Sequence, residues 1–329
     1  MEWIVHLLTE GLVAAGQEVT LFASGDSETD ARLEAVFDKA PSEWIGHSYW
    51  ELRHAMACFV EAGDFDVVHD HTGLLGLAVG AQRPTPLVHT VHGPLDGEPG
   101  DLYEQVCKIA PRGRLISISM SQRHPRPELP WLANCPNAID LERYPFHAGH
   151  DEYLLFLGRM SAEKGAHRAV EIAQAAELPL RIAGKCREPG EQAYFDAYVK
   201  PALGDMVEYL GEVTHHEKVA LLQHARATLF PIAWEEPFGL VMIESIACGT
   251  PVLATRRGSV PEVIRDGVTG IVVDDYHDLA AAIERADALD PHALRRDVEE
   301  RFTPARMVQD YLAAYEAAVE AAERAPAPS

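Results

Sequence analysis

Apolar positions along the chain fall into two alternating rhythms. Short continuous apolar runs, each ended by glycine, proline or a polar pair, have the length of buried strands. Between them lie longer stretches where apolar residues recur every three or four positions, as on one face of a helix. The opening residues read as a helix over 1–17, with Trp3, Ile4, Leu7, Leu8, Leu12 and Val13 on one face and Gly16 closing it. A strand over 18–23 follows, then a helix over 48–62, a strand over 66–69, a small helix over 74–81 and a strand over 86–93. A helix over 99–109 and a strand over 114–119 come next, and the proline-rich section 122–136 reads as irregular.

After a polar hinge at 147–151 the alternation restarts, with strands over 153–157, 180–183, 207–210 and 228–231 separated by helices over 164–176, 192–203 and 216–225. A helix over 240–248 stops at Gly249 and a strand over 251–254 follows. Helices over 278–288 and 304–323 finish the fold before a frayed tail at 325–329. Repeated strand–turn–helix units at this spacing predict an α/β fold of doubly wound parallel sheets with helices on both faces. The hinge divides the chain into a domain over 1–147 and a domain over 148–303.

The stretch from Leu229 to Asp275 carries the most chemistry. An apolar strand ends at Pro231, two adjacent acids follow at Glu235 and Glu236, and Pro237-Phe238-Gly239 opens the helix that holds Glu244. A helix start offers free N–H groups and a partial positive charge, so the amides of Phe238, Gly239 and Leu240 suit a phosphate or sugar hydroxyls. The acids sit inside an apolar run, where a charge must find a partner or a ligand. A second loop, GRMSAEKG, places Gly158, Arg159, Lys164 and Gly165 between a strand and a helix. The guanidinium fork and the ammonium point charge both suit phosphate oxygens.

The nine residues from Glu236 to Glu244, E-P-F-G-L-V-M-I-E, and the segments ACGTPVLAT, GSVPEVI and GVTGIVV after them resemble glycosyltransferase family 4, over about 45 residues. That resemblance implies a GT-B fold, two Rossmann-like domains facing a cleft, with the helix of 304–329 packed back on the N-terminal domain. It implies that Glu236 meets the donor sugar's hydroxyls, Glu244 accepts from the ribose, and Arg159 and Lys164 hold the diphosphate. It places the nucleobase at the turn Gly211-Glu212-Val213, with Gly184 on a neighbouring donor-binding turn, and brings His92 to the donor sugar. Pro136-Asn137-Ala138-Ile139-Asp140 resembles the segment before the family's domain crossover, with Ala138 in place of a glycine. Family members carry a strand and a Gly-Gly turn before the residues matching Glu2-Trp3; neither is present in this sequence, so either its start is misassigned or the first domain is expected to be truncated, and the central strand position needs another occupant.

Composition narrows the partners. The 329 residues carry 51 acids against 28 lysines and arginines, a formal charge of −23, which argues against nucleic acid or an anionic membrane as the main partner. Five scattered cysteines without a C-x-x-C favour a reducing cytoplasm over a disulfide framework. No apolar run reaches membrane-span length and no signal peptide is apparent. Histidines 69, 71, 89 and 92 fall on strand ends but lack a further ligand at metal spacing, so only His92 is assigned a role, and His69 and His71 read as structural. Ser119 and Asn137 are placed on loops lining the expected cleft, Glu235 is a loop charge, and Asp64-Phe65-Asp66 is an ordinary acidic strand cap.

The expected function is transfer of a hexose from a nucleotide-diphosphate sugar, UDP preferred, to an acceptor hydroxyl of a glycan, lipid or small molecule, with retention and without a metal or other cofactor. Glu236, His92, Arg159 and Lys164 are the expected catalytic residues. The alternatives are a GT-B epimerase or phosphorylase, and a catalytically impaired nucleotide-sugar-binding or scaffold protein.

Overall fold

A computed structural model describes residues 1–40, 47–61, 65–80 and 83–324. The chain divides into two compact units, residues 1–138 with 304–329, and residues 139–303.

Unit 1 opens with α1 (Glu2–Ala14), which buries Ile4, Leu7, Leu8 and Leu12, the face marked by the apolar period. Strands β1 (Thr20–Ser24) and β2 (Arg32–Phe37) pair in parallel as a sheet of their own. After α2 (Ser48–Glu61) come β3 (Val68–Asp70), α3 (Leu74–Gly80), β4 (Leu87–Thr90), α4 (Glu98–Ile109), β5 (Gly113–Ser117) and β6 (Trp131–Asn134). A second parallel sheet takes the order β3-β4-β5-β6. Leu77, Leu87, Val91, Leu95 and Leu115 form its core. Among the described residues no strand joins the β1–β2 sheet to this one, so the expected occupant of a central position is not among them.

Unit 2 runs β7 (Leu154–Leu157), α5 (Ala166–Ala176), β8 (Leu180–Ala183), α6 (Pro189–Tyr194), β9 (Val207–Tyr209), α7 (His215–His224), β10 (Ala227–Phe230) and α8 (Leu240–Cys248). It continues through β11 (Val252–Thr255), α9 (Val260–Val263), β12 (Gly270–Val273), α10 (Leu279–Asp287) and α11 (Pro291–Arg301). The six strands are all parallel in the order β12-β11-β10-β7-β8-β9. The succession of strands therefore runs outward in both directions from the β7–β10 pair, the doubly wound arrangement. Leu154, Phe156, Met160, Ile182, Leu229 and Leu253 pack beneath the helices. The last helix, α12 (Pro304–Glu323), belongs to unit 1, where Met307, Val308 and Tyr311 are buried and its length packs on α1.

Several elements depart from the pattern-based expectation. Residues 122–136 are not wholly irregular, because β6 forms there and pairs with β5. The strand β2 alternates charged and apolar residues and is only half-buried, which hides it from an apolar-run criterion. The unexpected α11 is strongly polar and buries only Leu294, Asp297 and Val298. The helix expected at 192–203 begins earlier and loosens, α6 passing into a π turn over Phe195–Val199 and a 3-10 turn over Lys200–Ala202. Asp64, the tail 325–329 and the expected helix ends at residues 62 and 81 lie outside the described residues. Among the described residues no helix is long and apolar enough to cross a membrane.

Candidate functional site

In unit 2 the strand succession reverses between β7 and β10, and at such a point the loops leaving the carboxyl ends part to form a crevice. The loop after β7 carries Gly158, Arg159 and Lys164, and the loop after β10 carries Trp234 to Gly239. They are tied together by Arg168 of α5, a buried side chain that donates to the carbonyls of Pro231 (2.5 Å), Ala162 (2.8 Å) and Glu163 (3.1 Å). Sequence reading passed over Arg168; an arginine on the buried face of an amphipathic helix was the available signal. The ammonium of Lys164 is hydrogen-bonded to Glu236 Oε2 and lies 4.6 Å from the centre of the Trp234 ring. The Trp234 Nε1 atom is buried and has no hydrogen-bond partner among the described residues. Arg159 is exposed, and among the described residues its side chain makes no hydrogen bond or ion pair, its charge acting on Glu191 and Lys185.

The first turn of α8 is left open. Gly239 is its N-cap at φ +76°, a left-handed conformation that favours glycine, and a Cβ there would lie 2.7 Å from Met242 Cε. Among the described residues no acceptor takes the N–H groups of Phe238, Gly239 or Leu240. The loop is braced from behind: Ser259 N–H donates to Glu236 O (2.9 Å), Ser259 Oγ donates to Phe238 O (2.8 Å), and Gly258 N–H donates to Glu235 Oε2 (2.7 Å). Glu235 is thus a brace rather than a bare loop charge.

One helical turn further on, Glu244 is buried at 8% exposure and answered by two groups the sequence reading missed. Its Oε1 accepts from Tyr144 Oη (2.6 Å) and from Lys218 Nζ (2.7 Å), and Lys218 also donates to Tyr144 Oη (3.2 Å). Burial and the adjacent Glu244 carboxylate raise the Tyr144 pKa far above that of a free phenol, so this hydroxyl keeps its proton to donate. Gly184 closes the neighbouring turn. A Cβ on it would fall 1.8 Å from Gly158 O, and its N–H donates to Gly211 O (2.8 Å), so the turns after β7, β8 and β9 are stitched in a row. Val213, half-buried beyond Gly211, offers a main-chain N–H and C=O that take no backbone partner among the described residues.

The strand-end histidines of unit 1 form a different kind of assembly. His69 in the middle of β3 is bonded through Nδ1 to Tyr315 Oη and through Nε2 to Thr90 Oγ1, both at 2.7 Å, and Thr90 Oγ1 lies 3.1 Å from Tyr311 Oη. This chain anchors α12 to β3 and β4. His89 joins Asp70 Oδ2 (2.6 Å) to Tyr103 Oη (2.9 Å). His71 Nδ1 lies 2.9 Å from His92 Nε2, so one ring donates and the other accepts. Burial pulls the His71 pKa down to about 4 against the attraction of Asp70. Burial, with His71 beside it, pulls His92 down to about 3. His69 is also lowered, chiefly by burial. Burial alone would raise Asp70, but the hydrogen bonds from His89 and Thr72 outweigh it and hold that carboxyl below its usual range.

Two family comparisons bear on these sites. Residues 141–301 match the glycosyl transferases group 1, and residues 1–133 match glycosyltransferase family 4. The glycogen synthase of Mycobacterium tuberculosis is 30% identical over 89% of this chain and 83% of its own length. The chain belongs to glycosyltransferase family 4. It is an enzyme of the glycosyltransferase class, and its α/β architecture is the GT-B fold. AviGT4, a glycosyltransferase involved in avilamycin A biosynthesis, superposes with a TM-score of 0.72 at 25% identity, covering 97% of this chain and 90% of that one. HepE of Anabaena, solved in complex with UDP and glucose, shares the fold at 18% identity and a TM-score of 0.72, covering 94% of this chain and 95% of its own.

Unit 2 of this family 4 chain therefore brings together Gly158, Arg159, Lys164, Gly184, Glu236, Phe238, Gly239 and Leu240 on the loops around one switch point, with Glu244 one turn into α8. His92 lies in unit 1. Ser119 is turned inward, its Oγ accepting from Gln122 N–H at 3.2 Å. Asn137 is 5% exposed, with a buried Oδ1 that has no partner.

Proposed function

We propose that this glycosyltransferase moves a hexose from a nucleotide-diphosphate sugar to an acceptor hydroxyl with retention at the anomeric carbon. The observation that carries the reading is the set of groups beyond β7 and β10: an unpaired Arg159, an ammonium at Lys164 and the open N–H groups at the start of α8. All three favour anionic oxygen and together suit a departing diphosphate. Lys164 is held by Glu236. An arriving diphosphate draws the ammonium toward itself and leaves the carboxylate to accept from sugar hydroxyls.

In the step itself the bond from the anomeric carbon to the phosphate oxygen breaks, and its electron pair stays on that oxygen. The acceptor oxygen bonds to the anomeric carbon on the same face, and its proton passes to the departing phosphate. Arg159, Lys164 and the α8 terminus gain interaction as charge grows on the leaving group, so they lower the barrier. No metal is needed for this neutralisation. Glu244 accepts from the ribose, and the base lies against the main chain of Val213 near Gly184. The reading keeps His92 as a contact of the donor sugar, residues 1–147 as the acceptor-side domain and the cytoplasm as the location. UDP is the nucleotide of first choice; HepE, solved in complex with UDP and glucose, supports a UDP-hexose. The acceptor is a glycan, a lipid or a small molecule.

Product stereochemistry from a donor-panel assay tests retention directly. Arg159→Ala and Lys164→Ala are each expected to cut turnover by about a hundredfold or more. Unchanged turnover in either variant, with donor binding intact, would sink the proposed role of these cations.

A further inference from the structure

We infer that Tyr144 and Lys218 are positioning residues that hold the Glu244 carboxylate in the one orientation able to select a ribose over a sugar lacking its hydroxyls. The inference deepens the proposed function and rests on its assignment of Glu244 to the ribose.

The three side chains come from separate parts of unit 2: Tyr144 from the segment ahead of β7, Lys218 from the first turn of α7, and Glu244 from α8. They form a closed triangle in which each donor has one consistent use. The single phenolic proton goes to Glu244 Oε1, and Lys218 gives one N–H to the same oxygen and one to the phenol oxygen. Both bonds fall on Oε1. Among the described residues Oε2 takes no hydrogen bond, so it is the oxygen left for a ligand. A carboxylate oxygen accepts from two hydroxyls, which fits a vicinal diol.

A carboxylate on a helix ordinarily samples several rotamers, and binding through it must overcome that freedom. Here the rotamer is set in advance by two bonds to the opposite oxygen. The set is held from behind as well. The Tyr144 carbonyl accepts from Arg295 Nη1 at 2.7 Å, and the same nitrogen donates to Ala247 O at 3.0 Å, tying the Tyr144 backbone to α8 itself. Lys218 has a second effect, since its charge offsets that of Glu244 where a polyanionic nucleotide has to approach. The lysine nevertheless touches no reacting atom in this reading; it acts through Glu244.

The test compares binding of UDP, GDP and ADP to the full chain, takes the tightest, and measures it beside its 2′,3′-dideoxy counterpart. Measurements are made on wild type, Tyr144→Phe, Lys218→Met and Lys218→Arg. Wild type is expected to prefer the ribonucleotide by about tenfold or more, the size of one or two lost bonds to a charged group. In Tyr144→Phe and Lys218→Met that preference is expected to collapse toward one through loss of ribonucleotide affinity, and Lys218→Arg is expected to restore part of it. A merely structural pair would weaken both nucleotides alike and leave the ratio standing. If wild type shows the preference and both variants keep it, the positioning role is wrong while the ribose assignment survives. If wild type binds none of the three nucleotides, or binds both forms equally, the assignment of Glu244 fails and the inference goes with it. Tyr144→Phe keeps the ring and its packing, so a folding failure of Lys218→Met leaves the test intact.

Discussion

Unit 2 joins the loops beyond β7 and β10 with an ion pair, Lys164 on Glu236, and separately ties α7 to α8 through Lys218 on Glu244. Unit 1 finishes β3 and β4 with rings and hydroxyls bonded to one another, His69 to Tyr315 and Thr90, and His71 to His92. The difference is one of what each can respond to. An ion pair at the mouth of a loop can be exchanged for a charged ligand, because the ligand replaces the interaction that is lost. A buried set of neutral imidazoles has no such exchange partner, and its vulnerability is the proton. Unit 2 is therefore built to answer an anion, and unit 1 is built to stay neutral.

The largest effect should come from breaking the ion-pair side. Glu236→Ala frees Lys164 but removes the carboxylate from the sugar hydroxyls. Transfer is expected to fall by about a hundredfold, while the affinity for the free nucleoside diphosphate holds or rises. A matching loss of nucleotide affinity, measured by calorimetry, would mean that the pair organises the whole loop and is not exchanged on binding.

The neutral side should show itself in pH. Native His71 and His92 have pKa values of about 4 and about 3 against an ordinary 6.5, so below 6.5 the unfolded chain takes up protons that the native state refuses. Stability therefore falls as pH drops from 6.5 toward 4, each such imidazole contributing a slope of up to about 1.4 kcal/mol per pH unit. Asp70 is also lowered, in its case because hydrogen bonds favour the charged form, and it loses its contribution only below its ordinary 3.8, outside that window. Urea midpoints at pH 7 and pH 5 for wild type and His71→Asn check this, and an equal slope in the variant would exclude His71 as a source.

A smaller effect is expected from Tyr315→Phe, which strips His69 Nδ1 of its partner and should cost about 1–2 kcal/mol by thermal melting. No change would imply that the helix α12 is held by packing alone. The smallest is Glu235→Ala. It removes an exposed brace on the Gly258 N–H, and a loss below about 1 kcal/mol is expected, with donor binding nearly untouched. A large loss of binding there would move Glu235 from the brace into the donor site.

Legibility in the sequence divided along the same line. In unit 2, β7, β8 and β10 are apolar runs that end at glycine or proline, and α8 carries an apolar face between Gly239 and Gly249, so its bounds were readable to the residue. Lys164 and Glu236 were recognisable because local motifs carry them. The strand β2 and the helix α11 were missed because each buries little and so leaves no strong apolar period. The strand β6 was missed because prolines surround it, which an edge strand paired on one side tolerates. Tyr144 and Lys218 stand in unremarkable surroundings, and nothing local distinguishes them from ordinary packing or surface residues, whereas Arg168 was marked only by its place on the buried face of α5.

What the sequence determined alone was the class of fold, its parallel sheets between helices and the acids and cations on the loops beyond β7 and β10, because strand ends and helix starts are local events written in glycine, proline and apolar spacing. What only the tertiary structure decided was which charge meets which. The Lys218–Glu244 contact spans 26 residues, Tyr144–Glu244 spans 100, and His69–Tyr315 spans 246. Such pairings follow from how strands order themselves in a sheet, and no local rule carries that order.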